Sequence, residues 1–162
     1  MKIFKKNIYK ITPASLSIGM NSVVLIPEIP VLDLKDWEVL IKDLNNFCEV
    51  YGLRFYLDLK NRNYFFCELI RPLSDPSGPS LPRGERRDLK IKFFKFKQVQ
   101  NKSLRDFLPQ GPDSKLFNSW MTEIQMFLYQ HPINILRREE SLQTVDILWF
   151  EKLGFFERYK KC

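Results

Sequence analysis

The period of hydrophobicity changes once and abruptly, at Gly52. Upstream, Trp37, Leu40, Ile41, Leu44, Phe47, Cys48 and Tyr51 recur at helical spacing on one face. The spacing predicts a helix over residues 31–51, with Asp33 as its N-cap and Asp36 in the first turn, where the helix dipole favours an acid. Gly52 stops that helix as a left-handed terminal residue. Downstream, Leu53, Phe55, Leu57 and Leu59 alternate with Arg54, Tyr56 and Asp58, the pattern of a half-buried strand. Lys60-Asn61-Arg62-Asn63 makes a turn, and residues 64–70 return as the hairpin partner. A helix running straight into a hairpin points to helices laid on an antiparallel sheet.

The rest of the chain extends this pattern. Residues 22–27 form a β-branched run ended by Pro27 and read as a strand. Residues 71–88 hold Pro72, Pro76, Pro79 and Pro82, which forbid regular structure, so a mobile loop is expected. In residues 89–97, Leu89, Ile91 and Phe93 alternate with Lys90 and Lys92, then the phase flips to Phe94 and Phe96 against Lys95 and Lys97. A strand with a bulge at Phe93 and Phe94 keeps the rings inward and the lysines outward. Asp113 or Ser114 opens a second long helix with a stripe of Phe117, Trp120, Met121, Ile124, Leu128 and His131. Pro132 ends it and starts a short helix reaching Glu140. Residues 144–150 form a last strand, and a basic aromatic tail follows from Glu151. The expectation is one α+β domain over residues 1–162, a small, mostly antiparallel sheet with two main helices packed on one face.

The 162 residues suffice for one domain with a real core, and 44% hydrophobic with 14 phenylalanines is a globular composition. No apolar run reaches membrane-span length, and residues 1–11 lack the apolar region of a signal peptide, so the cytoplasm is the expected compartment. Cys48, Cys67 and Cys162 show no C-x-x-C spacing; the first two read as small buried hydrophobes rather than a disulfide framework. The net charge of +7 is concentrated. Lys2, Lys5, Lys6 and Lys10 form one group. Arg83, Arg86, Arg87, Lys90, Lys92, Lys95, Lys97, Lys102 and Arg105 form another, opposed only by Glu85, Asp88 and Asp106. Such clusters suit polyanions and equally suit a plain solvated face. Lysines interleaved with rings superficially suit single-stranded nucleic acid, but alternation puts rings and lysines on opposite faces, so only weak, non-specific nucleic-acid binding is expected.

The most distinctive run is Leu108-Pro109-Gln110-Gly111-Pro112-Asp113, then Glu123-Ile124-Gln125-Met126, then His131-Pro132-Ile133-Asn134 with Arg137, then Leu148-Trp149-Phe150. It resembles the bacterial RpfE-like proteins, which are commonly labelled cofactor-independent phosphoglycerate mutase or regulatory protein and carry LPQGPD, NEIQM, HPxNxxR and V-N-S-L-W in that order. Leu44-Asn45-Asn46-Phe47, Gly52-Leu53-Arg54-Phe55 and residues 64–69 resemble further family stretches. The chain departs from the pattern at Asp146, where the family has Asn, at Arg138, where it has Glu, and at Glu151-Lys152-Leu153-Gly154, where it has W-G-G-G. The resemblance implies a shortened, divergent member, with phosphate-ester chemistry as the activity in the family label.

The residues themselves argue against that label. A two-metal mutase needs many His and Asp ligands plus a Ser nucleophile. A phosphohistidine mutase needs Arg-His-Gly and a second histidine. This chain has one histidine, His131, and no Arg-His-Gly. No cofactor or metal motif is present; the same shortage opposes a zinc site. Leu108–Asp113 has a single glycine without the P-loop spacing and reads as a rigid turn. His131 is either a hydrogen-bonded helix-end residue or an acid–base or phosphate ligand beside Asn134, Arg137 and Arg138. Asn134 and Arg137 share a helix face and either fix a helix end or hold an anion. The favoured function is a non-catalytic binding or regulatory module for a protein or a small anionic ligand. The alternatives are a phosphoglycerate mutase-like enzyme and a basic nucleic-acid-binding protein.

Overall fold

A strand that the sequence pattern hides lies at the centre of the sheet. The computed structural model describes residues 8–61, 63–70 and 90–153. Within them β1 (Ile8–Ala14) is paired antiparallel on both sides, with β5 (Phe65–Leu69) and with β6 (Ile147–Lys152). With β4 (Leu53–Leu57) at the far edge, the sheet order is β4-β5-β1-β6. β2 (Leu16–Ile18) and β3 (Val23–Leu25) form a separate two-stranded hairpin. Tyr9, Ile11 and Pro13 alternate with Lys10 and Thr12, but the early lysines make the N-terminal segment look like a solvated basic stretch. Pro13 is tolerated in this central strand for a geometric reason. The carbonyls of Ile8 and Ala14 accept from Leu153 and Asp146 on the β6 side. Alternation then turns the Pro13 nitrogen toward β5, which has already ended at the Ile11–Phe65 pair.

Two long helices cover one face, as expected. α1 (Leu34–Cys48) starts at Asp33, whose side chain accepts from the Asp36 amide at 2.8 Å. It tightens into a 3-10 turn over Glu49–Tyr51 and stops at Gly52, with φ at 70°. The predicted helix end is thus correct to the residue, because only the glycine enters the left-handed region without strain. Trp37, Leu40, Ile41, Leu44 and Cys48 are buried. α3 (Ser114–Gln130) buries Phe117, Trp120, Met121, Ile124 and Leu128. Trp37 meets Phe65 with ring centroids 5.8 Å apart, and Phe117 meets Phe150 edge-on at 5.0 Å. Tyr9 and Phe55 complete this aromatic layer between helices and sheet. Each such ring, fully buried, is worth roughly 1.5–3 kcal/mol. Burial pushes the Cys48 thiol up to about 12 and raises that of Cys67 well above its ordinary value, so both remain neutral apolar packing groups.

The strand with a bulge expected over residues 89–97 is not formed. Lys92 makes a single antiparallel bridge to Gln110, and residues 96–99 are a short helix, α2 (Phe96–Val99). The phase flip has a different cause. Phe93 packs on Tyr9 and Phe117, on the helix side of the sheet. The next carbonyl, on Phe94, accepts from the indole of Trp149 at 2.8 Å, and Trp149 points to the opposite face from Phe150. The chain therefore straddles the β6 edge, with the Phe93 ring on the helix side and the Phe94 carbonyl reached by an indole from the other face. The division of side chains is nonetheless as expected: Phe96 is buried, Phe93 and Phe94 are half-buried, and Lys90, Lys92, Lys95 and Lys97 are exposed. The last strand also runs to Lys152, so the segment from Glu151 begins as sheet rather than tail. The Pro-rich segment 71–88 and the tail beyond Leu153 lie outside the described residues.

The outer edge of β4 is closed by one side chain. Asn45 on α1 donates from Nδ2 to the Phe55 carbonyl at 3.0 Å and accepts at Oδ1 from the Phe55 amide at 2.7 Å. A primary amide thus pairs with the strand as another strand would, which protects an edge that otherwise invites intermolecular pairing. Asn45→Ala should cost about 1–2 kcal/mol by leaving both backbone groups without their partner. It should also promote self-association with rising concentration. Urea unfolding and light scattering test this; an unchanged midpoint with a concentration-independent mass would count against the edge-closing role.

Candidate functional site

The segment singled out in the sequence builds a corner. α3 ends at Gln130, and α4 (Pro132–Glu139) starts two residues later, with Pro132 at its first position. His131 occupies the junction and is buried. Its Nδ1 accepts from the Ile133 amide at 3.2 Å, capping α4. An acceptor at Nδ1 places the proton of the neutral ring on Nε2, which lies 3.1 Å from Asp43 Oδ2 on α1 and donates to it. His131 thereby joins three helices. Asn134 is 2% exposed. Its Nδ2 donates to the carbonyls of Leu128 and Val145, both at 2.7 Å, and its Oδ1 accepts from the Val145 amide at 3.0 Å. Both amide protons are engaged. Arg137 donates from Nε to the Gln143 carbonyl at 2.6 Å. Arg138 donates to the Tyr129 carbonyl at 2.6 Å and sits 4.5 Å from the centre of the Tyr129 ring.

The four residues expected to hold an anion therefore do not converge. His131 faces α1, Asn134 faces the lead-in to β6, Arg137 reaches the loop after α4, and Arg138 folds back on α3. Leu108–Asp113 is likewise engaged in structure. Gly111 has φ at 124°, and a Cβ there would stand 2.4 Å from the Lys90 carbonyl oxygen. Gln110 exchanges both backbone hydrogen bonds with Lys92, at 2.6 and 3.1 Å. The Asp113 carboxylate accepts from the Lys90 amide at 2.8 Å rather than from its own helix, and Ser114 Oγ donates to the Gly111 carbonyl. Asn118 Nδ2 donates to the Pro109 carbonyl at 3.1 Å. The motif is a latch that holds residues 90–92 where the chain rejoins the sheet.

Next to this corner lies an open groove of about 680 Å³ between α1 and α3, lined by Asp43, Asn46, Phe47, Glu123, Met126, Phe127, Gln130, His131 and Pro132. Its volume is in the usual range for ligand sites. Phe47 and Phe127 stack at 4.6 Å with planes 23° apart, and the His131 ring lies 5.4 Å from Phe127. Met126 is 56% exposed. Asp43 and Glu123 supply carboxylates from opposite helices, and among the described residues the lining contains no Lys or Arg. The charge of Glu123 is felt nearby: burial first, and the Glu123 carboxylate second, raise the Tyr51 phenol above its ordinary value. Of the sequence-predicted site residues only His131 lines this groove. Sequence reading missed Asp43, Glu123 and Met126, which sit at unremarkable polar and apolar positions of two helices far apart in the chain. Glu123 and Met126 do belong to the Glu123-Ile124-Gln125-Met126 stretch, the part of the distinctive run that the fold uses least.

The basic residues Lys90, Lys92, Lys95, Lys97, Lys102 and Arg105 are all exposed; Arg83, Arg86 and Arg87 lie outside the described residues. Lys92 and Lys102 rest over the rings of Phe94 and Phe107, at 4.9 and 5.4 Å. Among the described residues no group of three or more His, Cys, Asp or Glu side chains is placed to hold a metal ion, and no helix is long and apolar enough to cross a membrane. Comparison with known protein families, with curated proteins and with solved structures finds no match to this chain. The resemblance to RpfE-like proteins thus rests on the residues quoted for it.

Asn134 is the decisive polar group of the corner. Asn134→Ala should destabilise the protein by about 2–4 kcal/mol, because three buried backbone groups lose a partner at once. Chemical denaturation measures this. A loss below about 0.5 kcal/mol, the scale of an ordinary surface substitution, would show that the clamp is dispensable.

Proposed function

We propose that this protein is a non-catalytic binding module whose ligand occupies the groove between α1 and α3. The observation that carries the reading is a division of labour among polar side chains. His131, Asn134, Arg137 and Asp113 are engaged in holding backbone segments together. The groove residues Glu123 and Met126 are exposed and aligned with an aromatic floor. A regulatory role fits the RpfE-like resemblance, with this chain as a divergent relative. The mutase reading of that resemblance finds little support in the groove, where one histidine donates to one carboxylate and caps a helix with its other nitrogen. The protein should give no interconversion of 3- and 2-phosphoglycerate, with or without Mn²⁺ and with or without bisphosphoglycerate. Turnover that co-purifies with the folded chain and responds to Asp43→Asn would overturn the non-catalytic reading.

A second reading, weak binding of polyanions, is favoured by the exposed lysines at 90, 92, 95 and 97. They flank an extended segment and a short helix and present no shaped reading head, so they can neutralise phosphates without selecting sequence. Fluorescence-polarisation titration of single- and double-stranded oligonucleotides should show affinity that falls steeply with salt. Charge reversal at Lys90, Lys92 and Lys95 should remove most of it without unfolding. Salt-resistant, sequence-selective binding would instead make nucleic-acid recognition the main function.

A further inference from the structure

We infer that the groove between α1 and α3 takes a cationic partner, specifically an arginine-bearing peptide segment of another protein. This rests on the groove reading above and names the chemistry of its occupant. The chain carries a net charge of +7, yet among the described residues the groove lining holds the carboxylates of Asp43 and Glu123 and no cation. An anionic ligand would face both carboxylates. Charges more than about 8 Å away are largely screened at physiological salt, so the two carboxylates of the lining weigh most in the potential that a ligand meets.

The floor narrows the class further. The Phe47 and Phe127 rings stack on each other, so their inner faces cover one another and the half-buried pair offers only its outer faces and edges as apolar surface beside the acids. A guanidinium is planar and weakly hydrated; it stacks on such a ring while its edge donates to a carboxylate, which an ammonium does less well. Asp43 is oriented for this role. His131 Nε2 donates to its Oδ2, which fixes the carboxylate on a side chain that lines the groove and stays 43% exposed. Glu123 stands across from it on α3, and Gln130 and Asn46 add amides along the rim. The exposed Met126 supplies a flexible apolar wall for the methylene stem of the arginine. The groove is open along its length, which admits a side chain presented by an extended segment rather than an enclosed small molecule.

The test uses the full chain with its methionine methyl groups labelled for NMR. Met126 reports on the groove, and Met20, on the turn between β2 and β3 and outside the groove lining, serves as the control. Three peptides of equal length are titrated: oligo-arginine, oligo-glutamate and an uncharged Gly-Ser-Asn peptide. The expected result is saturable movement of Met126 by oligo-arginine alone, with Met20 unmoved. Glu123→Gln and Asp43→Asn should each weaken that binding by up to about fivefold, the upper end for an exposed ion pair, and added salt should weaken it further. If oligo-arginine leaves Met126 unmoved, or moves it equally in both variants, the inference falls. The other two peptides then decide the fate of the groove. Movement of Met126 by either keeps the groove as a binding site and overturns only the cationic class. Silence from all three overturns both.

Discussion

The fold depends on the ladder between β1 and β6. Residues 9–14 pair with residues 152–147, so the two ends of the described chain close on each other through the middle of the sheet. Everything else is hung on that closure. β5 and β4 extend the sheet on one side of β1, and α1 and α3 can bury their apolar stripes only against a face that already contains Tyr9, Ile11 and Phe150. The loop-closure entropy of so long a separation is recovered by the aromatic layer, in which Tyr9, Phe117 and Phe150 touch one another within 6.2 Å.

Once the sheet is closed, its weak points are managed by polar side chains rather than by more strands. Asn45 closes the β4 edge, and residues 93–94 straddle the β6 edge. Asp146 accepts from the Leu16 amide and from Thr144 Oγ1, tying the kink between β1 and β2 to the start of β6. Asn134 performs the same service between α3, α4 and Val145. A buried amide is well suited to this work, because it offers donor and acceptor together and carries no charge to desolvate. The polar residues that look most like ligands in the sequence are thus tied to the backbone.

The same bracing leaves a groove beside the corner. A helical corner that pins α3 to α1 through His131 and Asp43 holds the two helices apart above Phe47 and Phe127 and leaves a groove. The groove is positioned by the fold's own braces, so its geometry is rigid on the side of the corner and adaptable at Met126.

Sequence alone determined the elements whose signal is local. Helix α1 with its Asp33 cap and Gly52 stop, the β4–β5 hairpin, and the α3–Pro132–α4 break were all legible, because capping, left-handed glycine and helical or alternating periodicity act within a few residues. Tertiary structure alone decided the central place of β1, because its alternation of Tyr9, Ile11 and Pro13 with Lys10 and Thr12 does not say how many neighbours the strand has, and both partners come from distant segments. It decided the path of residues 90–99, whose phase flip a bulge and an edge crossing explain equally well in one dimension. It also decided the fate of His131, Asn134, Arg137 and Arg138, since whether a polar side chain meets a ligand or a backbone carbonyl depends on which distant segment is packed beside it. Asp43 and Glu123 face one groove for the same reason: they lie on separate helices, and only packing on a shared sheet brings their carboxylates to one surface.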